Sequence, residues 1–195
     1  MGLLPTGRNI ITALYGAYRL ANYDTNGLKY FNVSSKGFWH SFTAAGIIAP
    51  FYLILLTLRF SGMSEVSSAR FFAIEIIAYI IVWVAFPIII SSLVQIIKRE
   101  KKYISFIVAY NWSAVFQNTL FLPIEILALA GFLQANTANF LGLIAIALVI
   151  GYIWFITRSA LEISGILASG IVIIDILTSI LINTVAFDLL KLGTS

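Results

Sequence analysis

The sequence predicts an all-α, polytopic transmembrane bundle of about five spans, preceded by an amphipathic helix lying in the membrane interface. Three observations carry this prediction. Hydrophobic residues make up 61% of the 195 positions and charged residues only 10%, whereas a soluble domain carries roughly 25% charge. Mean hydropathy is +0.99, so polar side chains are too few to cover a water-facing surface. Five apolar segments, at about 41–59, 71–97, 104–131, 139–157 and 164–189, approach or exceed the ~20 residues that cross a hydrocarbon core. The chain therefore divides into a cytoplasmic or interfacial segment, 1–38, and a five-helix bundle, 39–195. The first 38 residues lack a long apolar core followed by small residues, so no cleavable signal peptide is expected.

Residues 3–21 read as the amphipathic helix. Ile10, Ile11, Leu14, Tyr18 and Ala21 recur at helical spacing, and Arg8, Thr12, Tyr15 and Arg19 take the other face. Pro5 suits a first helical turn. A second reading docks the same helix on the bundle from the cytoplasm. Asn22 to Gly27 reads as a turn, with Asn26-Gly27 its strongest signal. Asn32-Val33-Ser34 matches a glycosylation pattern but falls in a segment expected inside the cell.

The second, third and fifth apolar segments exceed the minimum, so they should tilt, project or break. Pro50, Pro87 and Pro123 are the natural kink sites, because proline lacks the backbone donor and crowds the preceding turn. The third segment either continues past Pro123 or leaves 124–133 as a re-entrant half-helix.

Orientation follows from basic residues. Arg8, Arg19, Lys29, Lys36, Lys98, Arg99, Lys101, Lys102 and Arg158 fall on one side, nine in all, against Arg59, Arg70 and Lys191 on the other. The excess places the N-terminus in the cytoplasm and, with five spans, the C-terminus in the periplasm. Arg8, Arg19, Lys98, Arg99, Lys101 and Lys102 are the candidates for contact with anionic headgroups. Trp39 with Phe38, and Trp154 with Tyr152, fit interfacial aromatic belts, Tyr103 opens the third span, and Trp83 falls mid-span and should pack between helices.

Polar residues inside the spans are the most informative feature. An ionisable group in hydrocarbon costs at least ~2.5–3.5 kcal/mol and needs a partner or water. Asp175, Thr178, Ser179 and Asn183 form one stripe on the fifth span. Asn111, Asn118 and Glu125, spaced by seven, share a face of the third, with Gln117 beside it. The two stripes should face each other, with Asp175 accepting from Asn118 or Gln117 or staying protonated. Such a stripe serves either a solute or proton path or interhelical adhesion. Glu75 and Glu125 share an outer level with Arg59 and Arg70, which suggests an ion-pair cluster. Arg158 and Glu162 stand at i, i+4, the spacing of a local salt bridge. Ala147 with Gly151, and Gly165 with Ser169, have the small-xxx-small spacing that permits close helix approach.

Cysteine is absent and His40 is the single histidine, which removes disulfides, thiol chemistry, Cys-ligated zinc and bis-His haem ligation. No metal site and no cofactor is expected, while bound lipid or pigment leaves no compositional trace. Nucleotide, metalloprotease and hydrolase motifs are missing, and the halves show no inverted repeat.

The layout, a cytoplasmic N-terminal segment, five close-set spans and a short outer tail, resembles the Yip1-like membrane proteins. The segments Gly37-Phe38-Trp39-His40-Ser41-Phe42, Tyr103 to Trp112 and Phe121-Leu122-Pro123 are similar to those of uncharacterised small bacterial membrane proteins of that kind. The resemblance implies an inner-membrane location, partner binding and membrane organisation; it transfers no functional residue. The leading expectation is a non-enzymatic accessory or assembly subunit that binds other membrane subunits or itself, and no nucleic acid. The alternatives are a small transporter or proton-coupled channel lined by Asp175, Asn111, Gln117 and Asn118, and an intramembrane lipid-acting enzyme using Glu75 and Glu125.

Overall fold

The computed structural model of the chain describes residues 5–62 and 66–192. Residues 3 and 4 of the expected first helix, part of the loop near 63–65 and the tail beyond Leu192 lie outside the described residues. Seven α-helices follow in order: α1 Gly7–Ala21, α2 Ser35–Ser41, α3 Thr43–Ser61, α4 Ser68–Ile96, α5 Tyr103–Leu129, α6 Ala135–Leu161 and α7 Gly165–Lys191. Short 3-10 turns at Thr25–Tyr30 and Glu100–Lys102 complete the described secondary structure. Five stretches are long and apolar enough to cross a membrane: Ser35–Ser61 (α2 with α3), Ser68–Ile96, Glu100–Leu129, Ala135–Leu161 and Gly165–Lys191. Their outward faces are rows of exposed isoleucine and leucine, such as Ile77, Ile80, Leu143 and Leu181. Water would penalise such faces and lipid does not, so this is a multi-pass membrane protein.

Helix boundaries follow local chemistry. Thr6, Ser34, Ser67 and Ser164 are the N-caps of α1, α2, α4 and α7, each accepting from the amide three residues on. Ser34, the last residue of the Asn32-Val33-Ser34 pattern, thus has a structural use. Several helices end in left-handed residues. Gly131 after α5 has φ +79°, and Lys98 and Glu162 adopt φ 57° and 54° after α4 and α6. The Arg99 amide then reaches back to the Val94 carbonyl at 2.7 Å, closing the end of α4. Pro50, Pro87 and Pro123 lie inside α3, α4 and α5 without ending them. The third span therefore runs on to Leu129, and 124–129 is helix rather than a re-entrant segment.

α5 is the hub: it packs on α1, α2, α3 and α6, and more lightly on α4. The other close pairs are α6 with α7, α7 with α4, and α4 with α3. The spans therefore close a ring in the order α3, α5, α6, α7, α4. α5 and α7 stand across that ring from each other, without close backbone packing among the described residues. A space between them is what the ring leaves.

α1 departs from expectation in one respect. Its buried face is Ala13, Gly16, Ala17 and Leu20, not the Ile10/Ile11/Leu14/Tyr18/Ala21 stripe; Ile11 and Tyr18 are 70% and 53% exposed. Size explains the choice: small residues let α1 approach α5 and the Thr25–Tyr30 turn closely, which bulky side chains prevent. A Cβ on Gly27 would stand 2.5 Å from the Gly16 carbonyl oxygen. Gly27 is thus required by contact and not by left-handed backbone, which among the described glycines only Gly131 adopts. The Tyr152 hydroxyl donates to the Ala17 carbonyl at 2.6 Å and lies 3.0 Å from Ser113 Oγ. Tyr152 is buried and anchors α1, so it is not a belt residue; the Trp154 indole likewise turns to Gly165 and Ser169 of α7, 3.1 Å from each. Trp39, 71% exposed, keeps the exposure a belt residue needs.

The basic ends of the bundle are stitched by ion pairs, and one differs from the local prediction. Glu162 pairs with Lys102 at 2.6 Å, while Arg158 stacks over the Trp154 ring at 5.4 Å. The left-handed turn at Glu162 breaks the i, i+4 geometry with Arg158 and aims the carboxylate at the next loop. Lys102 holds the Glu162 carboxyl below its ordinary value of 4.5. In the first turn region, the Asn26 amide and then the Arg19 guanidinium lower the Asp24 carboxyl from 3.8. A depressed carboxyl stabilises the fold above its unfolded pKa and stops doing so as pH falls through the lower folded value. Acidification below about pH 4.5 should therefore loosen first the 98–102 turn and then, below about 3.8, the 19–30 region. Limited proteolysis across pH 3–7 with an acid-active protease would measure it; equal susceptibility throughout would refute it.

Candidate functional site

The spans line a half-open cavity of about 820 Å³ to which all five contribute. α5 supplies Tyr110, Asn111, Gln117 and Asn118, and α7 supplies Asp175, Ser179 and Asn183. The two polar stripes expected from the sequence do share one space. Asp175 lies about 15 Å along α7 and Phe187 a further ~18 Å, so the cavity runs from mid-helix toward the end that carries Lys191. Tyr52 of α3 and Tyr79 and Trp83 of α4 complete an aromatic wall. Trp83 is half-buried against Tyr79, with ring centroids 6.2 Å apart, as its mid-span position predicts.

The partner of Asp175 differs from expectation. The carboxylate, 5% exposed, takes its hydrogen bond from the Tyr110 hydroxyl, with oxygens at 2.8 and 2.9 Å, rather than from Asn118 or Gln117. Asn118 instead bonds back to the Ala114 carbonyl at 2.9 Å, and Asn183 to the Ser179 carbonyl at 2.7 Å. Short amides prefer the nearest unsaturated carbonyl on their own helix, whereas a tyrosine reaches across a gap that an asparagine cannot span. Tyr110 is hidden in the sequence because it sits one residue before Asn111 in an aromatic-rich run. Its one signal there is a hydroxyl placed beside a polar stripe.

Asn111, 1% exposed, is oriented by a relay. Ser41 Oγ donates to the Phe38 carbonyl at 2.6 Å, so that oxygen has only acceptor capacity left and receives Asn111 Nδ2 at 2.8 Å. The amide orientation is thereby fixed, and Asn111 Oδ1 is buried without a protein partner, as is Gln117 Nε2. One tyrosine proton likewise leaves most of the carboxylate's acceptor sites open. Unsatisfied buried groups are rare and costly, about 1–3 kcal/mol each. Among the described residues, the two such side-chain atoms both belong to residues on the wall of one cavity.

The remaining candidates lie elsewhere. Glu125 does not line the cavity and pairs with Arg59 at 2.9 Å. α5 lines the cavity from Tyr110 to Phe121, and Glu125 lies one turn beyond that stretch, where Arg59 reaches it. Glu75 accepts from the Tyr52 hydroxyl at 3.0 Å, and Arg70 caps α7 through the Leu189 carbonyl at 2.6 Å. The expected outer cluster is thus three separate contacts. Arg59 and Glu125 are both well exposed, so this pair adds at most about 1 kcal/mol. Arg8 and His40 line a separate pocket of about 270 Å³ between α1, α2 and α5. Arg19 is held by Asp24 and, at 3.1 Å, by the Tyr30 hydroxyl, while Lys98, Arg99 and Lys101 remain exposed. No group of His, Cys, Asp and Glu among the described residues could hold a metal ion.

Comparison of the chain with protein families, with curated proteins and with solved structures finds no match.

Proposed function

We propose that this protein binds a small amphiphilic molecule inside the membrane, as the binding step of a small transporter. The observation that carries the reading is the 820 Å³ cavity with Asp175, Asn111 and Gln117 on its wall. Its volume falls within the ~300–1,000 Å³ of ligand sites, and a few convergent polar groups on an apolar wall are what such sites share. Tyr110 and Asp175 do bond to each other between α5 and α7, yet the helices leave a large space beside that pair, which adhesion alone does not require. The accessory-subunit reading draws on exposed apolar faces, which lipid covers equally well. The lipid-acting enzyme reading loses support, since Glu75 and Glu125 do not meet: Glu75 is held behind the cavity wall by Tyr52 and Glu125 by Arg59. Membrane organisation of the Yip1-like kind finds no specific support in the site.

The test is extraction in mild detergent followed by native mass measurement. The binding reading expects a small molecule retained by the wild-type chain and lost from Ser179→Phe, which fills the cavity. A stoichiometric protein complex with no small molecule bound would instead favour the accessory subunit.

We infer a cytoplasmic N-terminus from the uneven distribution of basic residues, and an inner-membrane location from the Yip1-like resemblance. Ile11, Tyr15 and Tyr18 form an exposed apolar stripe on α1, opposite its small-residue face, which favours a position at the inner interface. The chain has no cysteine, so single substitutions report sidedness directly. A cysteine at Lys101 should react with an impermeant maleimide only in broken cells, and one at Ser68 in intact ones. The reverse pattern would invert the topology.

A further inference from the structure

We propose that the central cavity selects a hydrophobic organic cation, seated between the Asp175 carboxylate and the aromatic wall. The inference rests on the binding reading above and names its ligand class.

Charge comes first. Among the residues lining the cavity Asp175 is the one carboxylate, and no lysine, arginine or histidine is among them. A lone carboxylate in a low-dielectric site repels an anion and gains from a cation far more than it would in water. Hydrogen-bond capacity points the same way. Asp175 keeps acceptor capacity beyond its tyrosine donor, which calls for a donor or a positive centre. Asn111 Oδ1 and Gln117 Nε2 are themselves occluded and offer a ligand no direct contact.

The wall supplies the third argument. Tyr52 and Tyr79 stack with centroids 4.8 Å apart, and Trp83 and Tyr110 extend this π surface toward Asp175. Ring faces attract cations whose hydration is weak. Phe187 at the far end already carries Lys191 on its ring at 4.1 Å, so the π sites nearer Asp175 are those left for a ligand. Ile146, Ile150, Ile153, Ile176 and Ile180 offer the complementary apolar side, which suits a bulky hydrocarbon body and not a small hydrated ion.

Tetraphenylphosphonium and tetraphenylborate have nearly the same shape and opposite charge, and triphenylmethanol is a neutral analogue. Equilibrium binding of each to the full chain in nanodiscs decides the matter. The proposal expects saturable binding of the phosphonium, none of the borate, and a loss of at least about tenfold in Asp175→Asn. Asp175→Glu should keep affinity within a few-fold, and Ser179→Phe should abolish binding. Equal binding of the two ions, or phosphonium affinity indifferent to Asp175→Asn, overturns the cation assignment. If triphenylmethanol alone binds and Ser179→Phe removes it, the cation assignment falls and the cavity reading stands. If no probe binds, both fall. Should Asp175→Asn fail to fold, the two oppositely charged probes and Ser179→Phe still decide between these outcomes.

Discussion

Gly37→Ala is expected to unfold the N-terminal cap of the bundle. An added Cβ would overlap the Asn32 backbone carbonyl, and the neighbouring carbonyl carbon and Asn32 Cβ crowd the same point. No side-chain rotation relieves that overlap, because the obstructing atoms are main chain. The segment Asn32 to Gly37 would have to move, and Ser34 would lose its cap to the Gly37 amide at 3.1 Å. α2, which this turn leads into, packs on α5. Overpacking costs about 1–3 kcal/mol and a lost cap about 1 kcal/mol more, so a total near 3 kcal/mol is expected. Thermal unfolding in detergent should fall by several degrees, with new proteolysis between residues 22 and 36. Gly46→Ala, where a Cβ meets nothing within 4 Å, is the matched control and should be neutral or slightly stabilising. Equal behaviour of the two variants would remove close packing as the reason for Gly37.

Tyr110→Phe is expected to destabilise the protein, and Asp175→Asn to rescue it. Asp175 is nearly fully buried, and the Tyr110 hydroxyl is its one hydrogen-bond donor among the described residues. Removing the hydroxyl strands a carboxyl in the bundle, at a cost of about 2–3 kcal/mol. Replacing the carboxyl by an amide relieves the insertion penalty, so Asp175→Asn alone should be neutral or stabilising. The double variant should lie closer to wild type than the sum of the singles, with a coupling of about 1–2 kcal/mol. The sign matters for function. A residue whose removal stabilises the fold yet abolishes ligand binding is there for the ligand, since packing alone would have favoured its loss. Additive effects in the cycle would show that Asp175 is satisfied by water in the cavity and that Tyr110 is only a packing group.

Much of the architecture is legible in residues alone. Five spans follow from long apolar runs, because the cost of exposing backbone to lipid leaves helix as the only option for such a run. The polar stripes are legible too, because spacing by four and by seven fixes a common face regardless of partners. The same rule does not bring Glu125 into the cavity, because the α5 lining ends a turn earlier at Phe121 and Arg59 offers a nearer contact. Pairings are not legible. Asp175 with Tyr110, Glu162 with Lys102, and Tyr152 with Ala17 join residues 65, 60 and 135 positions apart, and no local pattern encodes which helix stands beside which. The buried face of α1 shows the difference most clearly. Hydrophobicity picks out Ile11 and Tyr18, but the face that is buried is Ala13, Gly16, Ala17 and Leu20, with Gly16 against the Gly27–Phe31 segment.

Composition and the helical period were enough to establish that this chain is helical, that it spans a membrane, and which faces of α5 and α7 are polar. Each of those properties belongs to a segment taken alone. That the two faces line one open cavity is of another kind. It depends on a ring order in which α6 and α4 hold α7 away from α5, and ring order arises from packing between elements, which no single helix carries.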